Sequence, residues 1–191
     1  LVLAEFAMPI PHFSDLGPNV ITSCWGSLLS AEAEGVAAQV SALPPRTALI
    51  GLILSAIAVL GAGVMHTRRP GWGGAFAFLS MAAFGMAVIG IVSLIALYVY
   101  EHPHHHCPFC LLKSGHGFVG YWLYVPLFAA TAFALSAAVV GRFQRVSSLA
   151  GVIAQERARL TGLAILLFAV FYAVGIVLVL SSSLTMEGVW W

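Results

Sequence analysis

The chain has 191 residues, 61% of them hydrophobic and 8% charged, whereas soluble domains carry roughly 25% charged residues; such a composition belongs in a membrane. A formal net charge of +1 with no basic run leaves nothing to neutralise a phosphate backbone, which excludes a nucleic-acid partner.

Residues 1–46 form a mixed N-terminal segment. Apolar Leu1 to Ile10 gives way to a Pro- and Gly-rich passage through Pro18, then to Asn19–Val40, which carries Cys24, Trp25, Glu32 and Glu34. Leu28, Leu29, Val36 and Val40 recur at helical spacing with the glutamates between them. That pattern predicts a short amphipathic helix on the membrane surface or on a partner. Pro44 and Pro45 then punctuate the chain.

Four apolar runs follow, at residues 47–65, 73–100, 118–141 and 160–180, and none contains Asp, Glu, Lys or Arg. Each is long enough to cross a hydrocarbon core about 30 Å thick, which takes around 20 helical residues. A β-barrel would instead show segments of about ten residues alternating in polarity. The expected fold is therefore an all-α integral membrane protein, with a four-helix transmembrane domain over 47–180 and a tail at 181–191. Gly51, Gly61, Gly63, Gly85, Gly90 and Gly175 allow the helices to approach closely, and Pro126 lies inside the third run, where it removes one backbone hydrogen bond.

Arg68 and Arg69 separate runs one and two, and Arg142, Arg145, Arg157 and Arg159 separate runs three and four. The positive-inside rule places both loops in the cytoplasm. Val146, Leu149, Val152 and Ile153, at helical spacing among those arginines, predict that residues 142–159 lie in the cytoplasmic interface. The opposite face receives both ends of the chain and the loop between runs two and three, and the expected setting is a bacterial inner membrane with that face periplasmic. Met65, Met81, Met86 and Met186 read as lipid or core contacts, and His12 and His66 as ordinary interfacial residues.

The exoplasmic loop Glu101–His116 gathers five of the seven histidines and two of the three cysteines. Three readings remain open for it. In the first, Cys107 and Cys110 join one or two of His102, His104, His105, His106 and His116 in holding zinc, copper or iron. Glu101 and any non-ligating histidine would then orient the ligands, and the site would serve electron transfer or metal handling in a membrane complex. In the second, the Cys107-Pro108-Phe109-Cys110 pair performs thiol–disulfide exchange, with Cys107, nearest His106, as nucleophile and a quinone as a possible electron carrier. In the third, a Cys107–Cys110 disulfide staples the loop of a structural accessory subunit. Cys24, expected on the same face, is a further ligand, a resolving thiol or a bystander. A c-type haem is excluded, because Leu111 stands where its attachment motif needs His. No histidine falls in mid-span to hold a b-type haem. The outer loop is too short to build a pocket alone, so membrane lipid and other membrane or exoplasmic subunits are the expected partners.

Pro between the two cysteines resembles the local glutaredoxin and thioredoxin pattern, although no βαβ pattern surrounds it. The layout, four spans with an exoplasmic Cys-x-x-Cys, resembles that of the DsbB and vitamin K epoxide reductase families. That resemblance implies electron transfer between thiols and a quinone. Those families relay electrons through a second exoplasmic cysteine pair, for which this chain offers Cys24.

Overall fold

The computed structural model describes residues 43–101, 107–146, 148 and 150–184; the expected amphipathic helix at 28–40, Cys24 and His12 lie outside them. Every element among the described residues is helical. Four helices are long and apolar enough to cross a membrane: α1 (Pro45–Arg68), α2 (Gly73–Tyr100), α3 (Val119–Arg142) and α4 (Ala150–Ser181). Their lengths make the chain an integral membrane protein. Each helix packs on the next and α1 closes on α4, giving an up-down-up-down bundle. One end carries the interhelical arginines; the other carries Cys107 and Cys110.

Local chemistry sets the helix limits. Pro45 opens α1, where its missing N–H costs nothing. The three-residue 3₁₀ turn Pro70–Trp72 reverses the chain into α2. Within α2, residues 91–95 form a π turn, in which the Ala96 N–H donates to the Ile91 carbonyl. Pro126 is buried inside α3.

Since all faces of these helices are apolar, the small residues mark which side turns inward. Gly90 is one such position: a Cβ there would stand 2.6 Å from Leu52 of α1. Ala130, Ala134 and Ala137 line the inner face of α3 and Ile153, Thr161, Ala164, Phe168, Phe171 and Gly175 that of α4. Phe76, Phe168, Phe171, Leu123, Leu127 and Ile91 fill the centre. The hydroxyls of Ser80, Ser93, Thr131 and Thr161 donate to carbonyls four residues back, so the apolar interior does not hold them unsatisfied.

At the arginine-bearing end, the segment expected in the cytoplasmic interface is, from Ala150 onward, helical and continuous with α4. Gln155, Glu156, Arg157 and Arg159 interrupt the hydropathy of that stretch without interrupting its helix. His66, read as an ordinary interfacial residue, is fully buried, stacked 5.6 Å from the Phe76 ring. Arg157 is buried with it, and its Nη1 donates to the His66 carbonyl at 2.6 Å. The last carbonyls of a helix have no partner within it, and a cation is favoured at that end; α1 thereby supplies what the arginine needs in order to be buried.

Candidate functional site

The loop between α2 and α3 is mounted on two tyrosines. α2 stops at Tyr100, and Glu101 takes a left-handed conformation (φ 52°) with its N–H on the Leu97 carbonyl. Tyr100 Oη donates to the Cys107 carbonyl at 2.7 Å, and Tyr124 Oη, on α3, donates to the Pro108 carbonyl at 2.9 Å. Two adjacent carbonyls of the Cys-x-x-Cys segment are therefore held from the two helices that flank it. The segment continues into the 3₁₀ turn Cys110–Leu112, with the Leu112 N–H on Phe109 O and the Lys113 N–H on Cys110 O, both at 3.1 Å.

Leu111 locks this turn into the bundle, fully buried as part of the central core. Gly120, in the first turn of α3, lies against it so closely that a Cβ would stand 3.0 Å from the Leu111 carbonyl carbon and 2.8 Å from Leu112 Cδ2. Gly117 and Phe118, with φ 64° and 56°, turn the chain into α3.

Cys107 is buried and Cys110 half-buried, and the two are not joined to each other. The His116 ring meets the Tyr100 ring edge-on at 4.6 Å, which brings His116 to the tyrosine that holds Cys107. His102, His104, His105 and His106 lie outside the described residues. Among the described residues, no three of His, Cys, Asp and Glu stand together as a metal group. Glu101, expected to orient metal ligands, accepts from the N–H (3.0 Å) and Oγ (2.5 Å) of Ser183, just beyond α4. With Ser182 Oγ donating to Tyr98 O at 2.8 Å, this ties the ends of α2 and α4 together. The two Ser183 donors hold the Glu101 carboxyl below the usual carboxylate range.

Beside the cysteines, a groove of about 590 Å³ opens between α2 and α3. Val88, Ile91 and Val92 form its α2 wall, with the last two inside the π turn; Tyr121, Tyr124, Val125 and Phe128 form its α3 wall. Pro108 and Phe109, the two residues between the cysteines, close its end together with Leu112. Val88, Tyr121, Val125 and Phe128 are exposed on the helix surfaces, so the groove opens on the outer, apolar surface of the bundle. No protein-family model, curated protein or solved structure matches the chain.

The groove and the tyrosine mounts had not been anticipated from the sequence. The sequence signal for the mounts is the placement of Tyr100 and Tyr124 on the two helices that bracket the cysteine pair.

Proposed function

We propose that the chain is a membrane thiol–disulfide redox protein whose Cys107–Cys110 pair exchanges electrons with an apolar two-electron carrier of the quinone class. The wall that Pro108 and Phe109 contribute to a groove on the outer, apolar surface of the bundle carries this reading. A carrier partitioned in the bilayer reaches that groove without crossing water, and once there it touches the residues between the two thiols. The reaction balances: two thiols give up two electrons and two protons to form one S–S bond, and the quinone becomes a hydroquinone. Burial favours the reverse of the expected order of attack, because Cys110 is the more open thiol and Cys107 the enclosed partner. With the arginine-rich loops cytoplasmic, the pair faces the exoplasmic side, where disulfides persist.

The test is quinone reduction by reduced protein in lipid nanodiscs, followed optically. One hydroquinone should form per chain, and none in the Cys107→Ser, Cys110→Ser double variant. Phe128→Ala should raise KM for the quinone more than it lowers kcat. Undiminished reduction by the double variant would refute the reading.

A metal reading shares the same thiols and is favoured by His116, which packs on the tyrosine that holds Cys107. On it, Cys107, Cys110 and one or two of His102, His104, His105, His106 and His116 bind zinc, copper or iron. Elemental mass spectrometry of chelator-free protein should then find about one ion per chain, absent from the double variant. Metal-free wild-type protein removes this reading.

A further inference from the structure

Forming one disulfide and one hydroquinone moves two protons as well as two electrons, and the two thiols are not equally placed to release theirs. Cys110 is half-buried and adjoins the exposed Phe109, so its proton exchanges with exoplasmic water. Cys107 is enclosed, and an ion left in so dry a place is costly. Its proton needs a group of the protein to take it.

The carrier has the complementary need, because its oxygens must be protonated in a groove whose walls are almost wholly hydrocarbon. Among the described residues lining that groove, only Tyr121 and Tyr124 bring polar side-chain groups. Tyr121 is exposed on the helix surface. Tyr124 is half-buried, with its Oη 2.9 Å from the carbonyl of Pro108, the residue that follows Cys107. Cys107 is near enough for a charge on its sulfur to be felt at the Tyr124 phenol. Tyr124 thus borders the groove on one side and the enclosed thiol on the other. Tyr100 differs: its hydroxyl is held at the Cys107 carbonyl and senses both sulfurs, but it does not line the groove. A hydroxyl donates one hydrogen and accepts through two lone pairs. With its hydrogen on the Pro108 carbonyl, the Tyr124 oxygen keeps room to accept, and rotation about the Cζ–Oη bond carries that hydrogen from the carbonyl toward the groove.

We propose that Tyr124 is the proton donor to the carrier, its hydroxyl giving its hydrogen to a carrier oxygen in the groove and taking in its place the proton that Cys107 releases as the disulfide forms. This rests on the thiol–quinone reading of the pair. The S–H bond of Cys107 and the O–H bond of Tyr124 break, one O–H bond forms on the carrier, and the tyrosine O–H is restored. The electron pair left on the Cys107 sulfur makes the S–S bond, and the two electrons given up by the Cys110 sulfur enter the carrier. The Cys110 proton goes to exoplasmic water, from which the second carrier oxygen is protonated. Tyr124 ends the turnover neutral.

The test is reduction of decylubiquinone by the reduced full chain in lipid nanodiscs, comparing wild type, Tyr124→Phe, Tyr100→Phe and Tyr121→Phe across a series of imidazole buffer concentrations at fixed pH and ionic strength. Tyr124→Phe should lower the rate at saturating carrier about 100-fold or more, the usual worth of a positioned acid or base. Its half-saturation should change less, because the ring remains in the groove wall. Rising imidazole should restore part of the lost rate, while the wild-type rate stays independent of buffer. Tyr100→Phe loses an equivalent bond to the same segment and Tyr121→Phe loses the other groove hydroxyl; each should cost less than about tenfold, as for one hydrogen bond, with no rescue by imidazole. Maleimide labelling of Cys107, in a Cys24→Ser, Cys110→Ser background, reports how far each variant loosens the loop. A Tyr124→Phe loss no larger than that of Tyr100→Phe, or a Tyr124→Phe rate unmoved by imidazole, overturns the role of Tyr124 while leaving the thiol–quinone reading in place. Failure of the wild type itself to reduce the quinone overturns both.

Discussion

Gly120→Ala tests how the cysteine loop is held. The added Cβ would stand 3.0 Å from the Leu111 carbonyl carbon, 3.1 Å from Leu111 Cβ and 2.8 Å from Leu112 Cδ2, where carbon atoms prefer about 3.5–4.0 Å. Rotating Leu112 relieves only one of these contacts. The other two involve the backbone carbonyl and Cβ of a fully buried residue, so the turn itself must shift by roughly half an ångström. Overpacking of this kind costs about 1–3 kcal/mol. The displaced turn pulls on the Cys107 and Pro108 carbonyls held by Tyr100 and Tyr124, and the cost therefore falls on opening of the loop. If Cys107, 6% exposed, is labelled by maleimide only from the opened loop, its labelling rate should rise about 5- to 150-fold, the factor equivalent to that free energy. The assay uses a Cys24→Ser, Cys110→Ser background, with Gly85→Ala on α2 as control, since a Cβ at Gly85 meets nothing within 4 Å. A Cys107 labelling rate in Gly120→Ala equal to that of the control would refute the account of how the loop is seated.

Glu101 should make the tie between α2 and α4 sensitive to acid. Its carboxylate is stabilised by the two Ser183 donors, which depress its pKa, so the contribution is complete above the usual glutamate value of about 4.3 and is lost as pH falls through the depressed folded value. A spin label at Leu184→Cys, in a background lacking the native cysteines, should loosen on acidification; Glu101→Gln should abolish that pH dependence, and a transition unchanged in Glu101→Gln would assign it elsewhere. Between α1 and α4, Ser55 Oγ and Tyr172 Oη share a hydrogen bond at 2.9 Å. A double-mutant cycle of Ser55→Ala and Tyr172→Phe, read by unfolding in mixed micelles, should return a coupling of about 0.6 kcal/mol, the average for such bonds between membrane helices. Zero coupling would mean that the two hydroxyls find equal partners elsewhere.

Most of the bundle is legible in the sequence because hydropathy reports what lipid requires of a helix. The limits expected for runs two and three lie within one residue of α2 and α3. The same scale fails at the start of α4, because it scores a side chain by type and not by partner. Arg157 reads as a soluble charge, yet the His66 carbonyl at the end of α1 accepts from it, a pairing across 91 positions that no local window contains. At the cysteines the division is similar. The Cys-x-x-Cys motif and its histidines stand in the sequence, whereas the groove does not, since Val88 and Phe128 become neighbours of Pro108 only when α2 and α3 pack. Gly120 carried a readable hint of close approach, but nothing local indicated that Leu111 was its partner.

The π turn at Ile91–Ile95 holds one more residue than a regular helix needs at that height, which places the two parts of α2 about 100° out of phase. Inward positions follow one helical stripe through Gly73, Phe76, Ser80, Ala83, Ala87 and Gly90, then all of residues 91–98 are buried. The extra residue acts as a rotational offset, fixing the bearing at which Tyr100 leaves the bilayer to meet the Cys107 carbonyl. Inheritance would consequently preserve a count rather than an identity: aliphatic exchanges across 91–95 leave the bearing of Tyr100 intact, whereas loss of any single residue there would swing that tyrosine away from the cysteine loop while leaving the apolar character of the span unchanged.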